Sequence, residues 1–193
     1  AGDRRAARLG AEKFGTREVS VLFEAGVASG LTGHFASAVS GGDLYRKSSF
    51  LLDSIGQQVF VPDIQILERP HLHKGLASSP FDDDGVATVD RNVVENGVVQ
   101  GYFLGSYSAR KLGMRTTGNA GGAHNLIMQN GSAMSFDALL KQMGTGLLVT
   151  ELLGHGINAV TGDYSRGASG FWVENGEIRY PVEEITIAGN LKD

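Results

Sequence analysis

At 193 residues the chain has the length of a single domain, and 41% hydrophobic residues suffice to fill its core. A net charge of −4, with no lysine–arginine stripe, argues against general nucleic-acid binding, and a 20% charged fraction argues against a disordered chain. There is no cysteine, which excludes disulfides and thiolate metal ligands, and no apolar run approaches the roughly 18 residues of a spanning helix.

Ala6, Ala7, Leu9, Ala11 and Phe14 recur at helical spacing and predict a helix over 3–14, ending at Gly15. Val19 to Glu24 reads as a strand. Val27, Leu31, His34, Phe35 and Val39 then predict a helix over 26–39, stopped by Gly41-Gly42. Gly30 and Gly33 inside it cost roughly 1 kcal/mol each, which predicts a close neighbour or burial against a sheet. Gln58–Val61 and Ile64–Leu67 read as short strands around Pro62-Asp63. Pro70 and Pro80 bracket a loop holding His71, His73 and Lys74. Asn96-Gly97 is a hairpin turn between Val93-Val94 and the run from Val98 to Leu104, because type I′ turns need positive φ at both central residues. A short helix over 106–112 precedes a glycine-rich loop, Thr116 to Asn125, and a strand at Leu126–Met128. Ser135 is an N-cap for a helix over 136–143, with Asp137 suited to its dipole. The apolar run from Gly146 to Leu153, the polar loop from Thr161 to Gly167 and a hairpin at Asn175-Gly176 complete the chain.

These elements predict an α+β fold: a strand-rich, mostly antiparallel sheet core with a few short helices and glycine-rich loops, in one domain over 1–193. The chain opens in what reads as mid-helix and stops just past a strand, as a piece of a longer protein would.

Five histidines invite a search for metal or acid–base chemistry. His71 and His73 share a face if extended, but zinc takes three or four ligands. Glu151 and His155 would meet on a helix, yet the run before them reads equally as a strand, and Gly154 and Gly156 suggest a turn. His34, on the apolar helix face, reads as a satisfied core histidine. His124 could meet substrate or phosphate, although Gly118 to Gly122 is no dinucleotide fingerprint. Ser165 and Ser169 lack a nucleophile-elbow spacing. Arg166, in a glycine-lined loop, can grip a carboxylate or a carbonyl with a planar fork; pairing with Asp163 is the competing reading.

Several stretches together resemble one family. Thr161-Gly-Asp-Tyr-Ser-Arg-Gly167 and Phe171-Trp-Val-Glu-Asn-Gly-Glu-Ile178 carry the likeness, with Ala28-Ser-Gly-Leu-Thr-Gly-His34, Tyr45 to Asp53, His73 to Asp82 and Ser106 to Gly113. The chain resembles the C-terminal part of the PmbA (TldE) type of subunit in the TldD/PmbA metallopeptidase family. The resemblance implies a metallopeptidase-like domain preceded by an N-terminal domain and followed by a short tail, both outside these 193 residues. It implies a cytoplasmic protein, a heterodimer with a TldD-like paralogue, an unstructured peptide as substrate, and links to peptide maturation and to modulation of DNA gyrase. Neither a nucleic acid nor a membrane is expected as a partner.

In the TldD-like paralogue a helix bears His-Glu-x-x-x-His, a cysteine completes the metal site, and the Glu is the general base. Laid on this chain, the first ligand position falls on Glu24, the base on Ala25 and the second ligand on Ser29. No His-Glu pair occurs anywhere in the sequence. The resemblance therefore implies no catalytic residue and no metal in this chain, with zinc in the partner. Asp163, Tyr164, Arg166, His124 and His155 are the expected substrate contacts. An enzyme relocated to Glu151 and His155, or a binding module acting on gyrase, are the rival expectations.

Overall fold

The computed structural model describes residues 10–13, 15–131 and 134–193. Its strands form two four-stranded sheets. The first contains β1 (Ser20–Phe23), β6 (Gly146–Leu153), β7 (Asp163–Glu174) and β8 (Glu177–Asn190), in that spatial order. β1 runs parallel to β6; the other two pairings are antiparallel. The second sheet is antiparallel throughout and runs β4 (Val98–Val99), β3 (Arg91–Glu95), β2 (Ile64–Glu68), β5 (Leu126–Asn130). It is built entirely from chain lying between β1 and β6. Four helices accompany the sheets among the described residues: α1 (Ala25–Ala38), α2 (Gly41–Tyr45), α3 (Ser106–Lys111) and α4 (Phe136–Met143). This is the expected α+β, mostly antiparallel architecture.

Period-two alternation decides the core. On β6, Leu147 and Val149 join Ala168, Trp172, Val182 and Ile185 on one face of the first sheet. Leu148 points the other way, with Val173, onto Leu140 of α4. The second sheet packs Ile66, Val93, Val94 and Val99 against Phe35, Ala38, Val39 and Leu104. Helix α1 joins the two cores: Val27 near its start touches the first, and Phe35 and Ala38 near its end sit in the second. Each fully buried aliphatic side chain contributes about 1.5–3 kcal/mol.

Both hairpins turn where expected. Asn96 and Gly97 have φ of 50° and 78°, and Asn175 and Gly176 have 53° and 73°. Ser135 caps α4 by accepting a hydrogen bond from the Ala138 amide at 3.2 Å.

Several expectations need correction. Residues 10–13 are not helical, and Glu12 bridges Val182 at the outer edge of β8; residues 3–9 and 14 of the helix expected over 3–14 lie outside the described residues. Gln58–Val61 is no strand: only Gln58 makes an isolated bridge, to Val98. Gly41 opens α2 rather than ending structure, because Ser40 accepts from the Asp43 amide and restarts the chain as a helix. A Cβ on Gly26, Gly30 or Gly33 would meet open space, so no neighbour among the described residues explains the glycines of α1. The stretch 163–167 is the first half of β7, not a loop.

Candidate functional site

Because 163–166 is strand, its side chains alternate. Asp163 and Ser165 are exposed, Tyr164 is buried and Arg166 is half-buried. Asp163 and Arg166 therefore lie on opposite faces and do not pair. Asp163 instead accepts from Thr161 Oγ1 at 2.5 Å and Asn190 Nδ2 at 3.0 Å, tying the turn before β7 to the end of β8.

The turn after β6 lies against this strand. Ile157 bridges Tyr164, and the Ser165 amide donates to the Gly156 carbonyl at 2.6 Å. A Cβ on Gly156 would overlap the Ser165 carbonyl oxygen, so only glycine permits this approach. Gly154 supplies the positive φ of 77° that starts the turn. Between the two glycines, His155 is brought to the face that carries Arg166. Helix α1 adds His34 one turn before its end. The result is a cavity of about 260 Å³ bounded by His34, His155, Arg166 and Asp43, with Phe50 and Ile157 as apolar wall.

The electrostatics of this cavity are uneven. His34 meets Tyr164 edge-on, with ring centroids 6.4 Å apart. Burial lowers the His34 pKa, and the Arg166 charge lowers it further, so the imidazole favours its neutral form. Burial raises the Tyr164 pKa, and Arg166 offsets part of that. Tyr164 Oη and Arg166 Nε are both buried and have no hydrogen-bond partner among the described residues. Asp43 is already engaged: Oδ1 accepts from Arg46 at 3.0 Å and Oδ2 from Ser40 Oγ at 3.2 Å.

The other expected residues lie elsewhere. His124 fastens the glycine-rich loop: its amide donates to Glu68 Oε1 at 2.9 Å and its Nε2 lies 3.0 Å from the Gly118 carbonyl. Glu68, 1% exposed, also accepts from Asn119 Nδ2 at 2.6 Å and from Arg91 Nε at 2.7 Å. Glu151 sits on β6, not on a helix; it accepts from Ser169 at 3.4 Å and lines a different cavity from His155. His71 Nε2 lies 3.0 Å from Thr88 Oγ1, and His73 is exposed.

Tyr164, Arg166 and His155 thus come together, and Asp163, His124 and Glu151 do not join them. The sequence reading missed His34 as a wall of this cavity. One signal was available: His34 shares its helix face with Ser37 and Ala38, both small.

The family model of the PmbA/TldA metallopeptidase C-terminal domain matches residues 16–193. The chain belongs to this family. A Haemophilus influenzae protein named metalloprotease PmbA homolog is 61% identical over 96% of this chain and 41% of its own length. Metalloprotease PmbA of Escherichia coli O157:H7 is 57% identical over 98% of the chain and 42% of its own length. The chain thus spans about two fifths of these relatives. The crystal structure of a candidate modulator of DNA gyrase from Bacteroides thetaiotaomicron superposes with a TM-score of 0.92 at 33% identity, over 100% of this chain and 43% of that one. TldE from Thermococcus kodakarensis gives 0.83 at 25%, over 98% and 46%.

Relatives named as metalloproteases imply a metal somewhere in the family. The side chains at the start of α1 do not fit one. Glu24 occupies the N-cap position of the helix, Ala25 offers no donor, and the Ser29 hydroxyl donates to the Gly26 carbonyl at 2.9 Å. Among the described residues no three histidine, aspartate or glutamate side chains converge as metal ligands. Among those residues, too, no helix is long and apolar enough to cross a membrane.

Proposed function

We propose that this chain is part of the non-catalytic subunit of a TldD/TldE-type heterodimeric metallopeptidase that cleaves unstructured peptides. The carrying observation is the donor set of α1. The helix that would hold the metal and its base offers Glu24, Ala25 and Ser29, and Ser29 is turned onto its own backbone. A zinc site needs three protein ligands and a base to activate water, and this helix supplies neither. The metal and the bond-breaking groups then belong to a TldD-like paralogue, where zinc would acidify a bound water. Relatives named metalloprotease PmbA and TldD support the family assignment on which this rests. In this reading the chain contributes cavity walls that position peptide, and the protein is cytoplasmic.

Co-purification with the TldD-like paralogue, followed by an assay on an unstructured peptide, tests the proposal. Cleavage should require both chains, and zinc should be found with the paralogue. Equal activity from the paralogue alone refutes a role for this chain. Stoichiometric zinc and peptide cleavage by this chain alone refutes its non-catalytic status, and loss of that cleavage in His155→Ala would favour a relocated site at Glu151 and His155. A second reading, a protein-binding module acting on DNA gyrase, draws on two similar structures described as candidate gyrase modulators. Pull-down that recovers gyrase but no peptidase paralogue would favour it.

A further inference from the structure

We infer that the cavity framed by His34, His155 and Arg166 is a carboxylate pocket that takes the C-terminal carboxylate of a peptide. It deepens the reading above by naming the part of the peptide this chain holds, and it rests on that reading only for the ligand being a peptide.

The argument starts from charge balance. A guanidinium is always charged and presents donors in a planar fork matched to a carboxylate. No carboxylate pairs with Arg166 among the described residues, and its Nε is buried without an acceptor. Asp43, the carboxylate on the wall, is engaged by Arg46, Ser40 and Ser48 and forms no ion pair with Arg166 among the described residues. Beneath the guanidinium lies Tyr164, only 5% exposed, whose hydroxyl interacts with Arg166. A guanidinium on the cavity wall whose buried Nε has no acceptor among the described residues calls for one from outside the chain.

Shape limits what that acceptor is attached to. A volume of about 260 Å³ is smaller than the roughly 300–1,000 Å³ of cavities for drug-sized ligands. It suits the end of a chain rather than a passing segment. Phe50 and Ile157 offer the terminal side chain an apolar wall. Neutral His34 at the inner wall and His155 on the exposed turn each bring an imidazole that can donate to an oxygen.

Fluorescence anisotropy with the full chain tests this. The probes are an N-terminally labelled penta-alanine as the free acid, the same peptide as its C-terminal amide, and an amide ending in aspartate. The free acid should bind about tenfold more tightly than the plain amide, the scale of one charge-assisted pair. Arg166→Gln should abolish that preference, Arg166→Lys should restore part of it, and His155→Ala should weaken it. A thermal melt of each variant checks folding. The His34 imidazole resonance in the unsubstituted chain should move on adding the free acid and stay put with the plain amide, a readout that needs no variant. Equal binding of acid and amide overturns the inference, as does a preference that survives in folded Arg166→Gln. Tighter binding of the aspartate amide than of the free acid overturns it too, by assigning the pocket to an acidic side chain. None of these failures touches the subunit proposal, which the paired activity assay decides.

Discussion

Replacing Glu68 with alanine should cost this domain a large share of its stability. Glu68 is 1% exposed and takes three hydrogen bonds: Arg91 Nε at 2.7 Å, Asn119 Nδ2 at 2.6 Å and the His124 amide at 2.9 Å. Removing one partner of a buried ion pair costs about 3–5 kcal/mol, mostly because the other charge is stranded. Arg91 has a side chain 17% exposed and keeps a second acceptor in Asn119 Oδ1 at 3.0 Å, so the lower part of that range applies. Asn119 retains the Gly122 carbonyl at 3.1 Å, whereas the His124 amide has no second acceptor among the described residues. The expected loss is about 3–4 kcal/mol against a typical total of about 5–15, or on the order of 10 °C in melting temperature. Urea denaturation reads it as a lower midpoint at constant slope. Glu68→Leu combined with Arg91→Met should recover much of the loss, since no charge is then stranded. A single-variant loss below about 1 kcal/mol, or a double variant as unstable as Glu68→Ala, would refute the reasoning.

Gly170→Ala would push a Cβ onto the Leu148 carbonyl within the β6–β7 ladder, and should destabilise by about 1–3 kcal/mol in a thermal melt; a neutral result would contradict the packing. Gly33→Ala meets open space on α1 and should stabilise the chain by about 0.5–1 kcal/mol, unless a partner covers that face. His34 has a lowered pKa, so its stabilising contribution is complete above its ordinary value of 6.5 and is lost as pH falls through that value towards the folded one. His34→Gln should flatten that decline in a pH series of melts. Asp82 behaves as the acid counterpart: burial pushes its pKa up, but the amides of Ala120, Val86 and Asp84 outweigh it and hold the pKa low. Its contribution is present above the ordinary carboxylate range and lost as pH falls through the folded value, and Asp82→Asn should remove that acid limb.

Local chemistry was legible in the sequence wherever one or two residues decide the backbone. Asn96-Gly97 and Asn175-Gly176 announce their turns, and Ser135 announces its helix, because φ and capping are settled within a few residues. What stayed hidden depended on distant partners. The polar run from Asp163 to Arg166 looks like a loop until β6 and β8 flank it, and no local pattern reveals that flanking. Strand pairing then separates Asp163 from Arg166, a separation that loop geometry would not require. His34 looked like core because its helix neighbours are apolar; its cavity exists only where a turn more than a hundred residues later comes to rest on β7. The glycines of α1 told half the story: the helix does pack on both sheet cores, but among the described residues nothing approaches the glycines themselves.

The parallel pairing of β1 with β6 sets an order on synthesis. Ser20 to Phe23 leave the ribosome well before their register partners, Gly146 to Val149. At about 5–20 residues per second, on the order of ten seconds pass before those partners exist. All four strands of the second sheet lie between Ile64 and Asn130, and the helix it packs on precedes them, so it can assemble in that interval. Val21 and Phe23, whose apolar side chains belong to the first core, lack their β6 partners throughout. The nascent chain therefore carries an edge strand without its sheet partner for seconds.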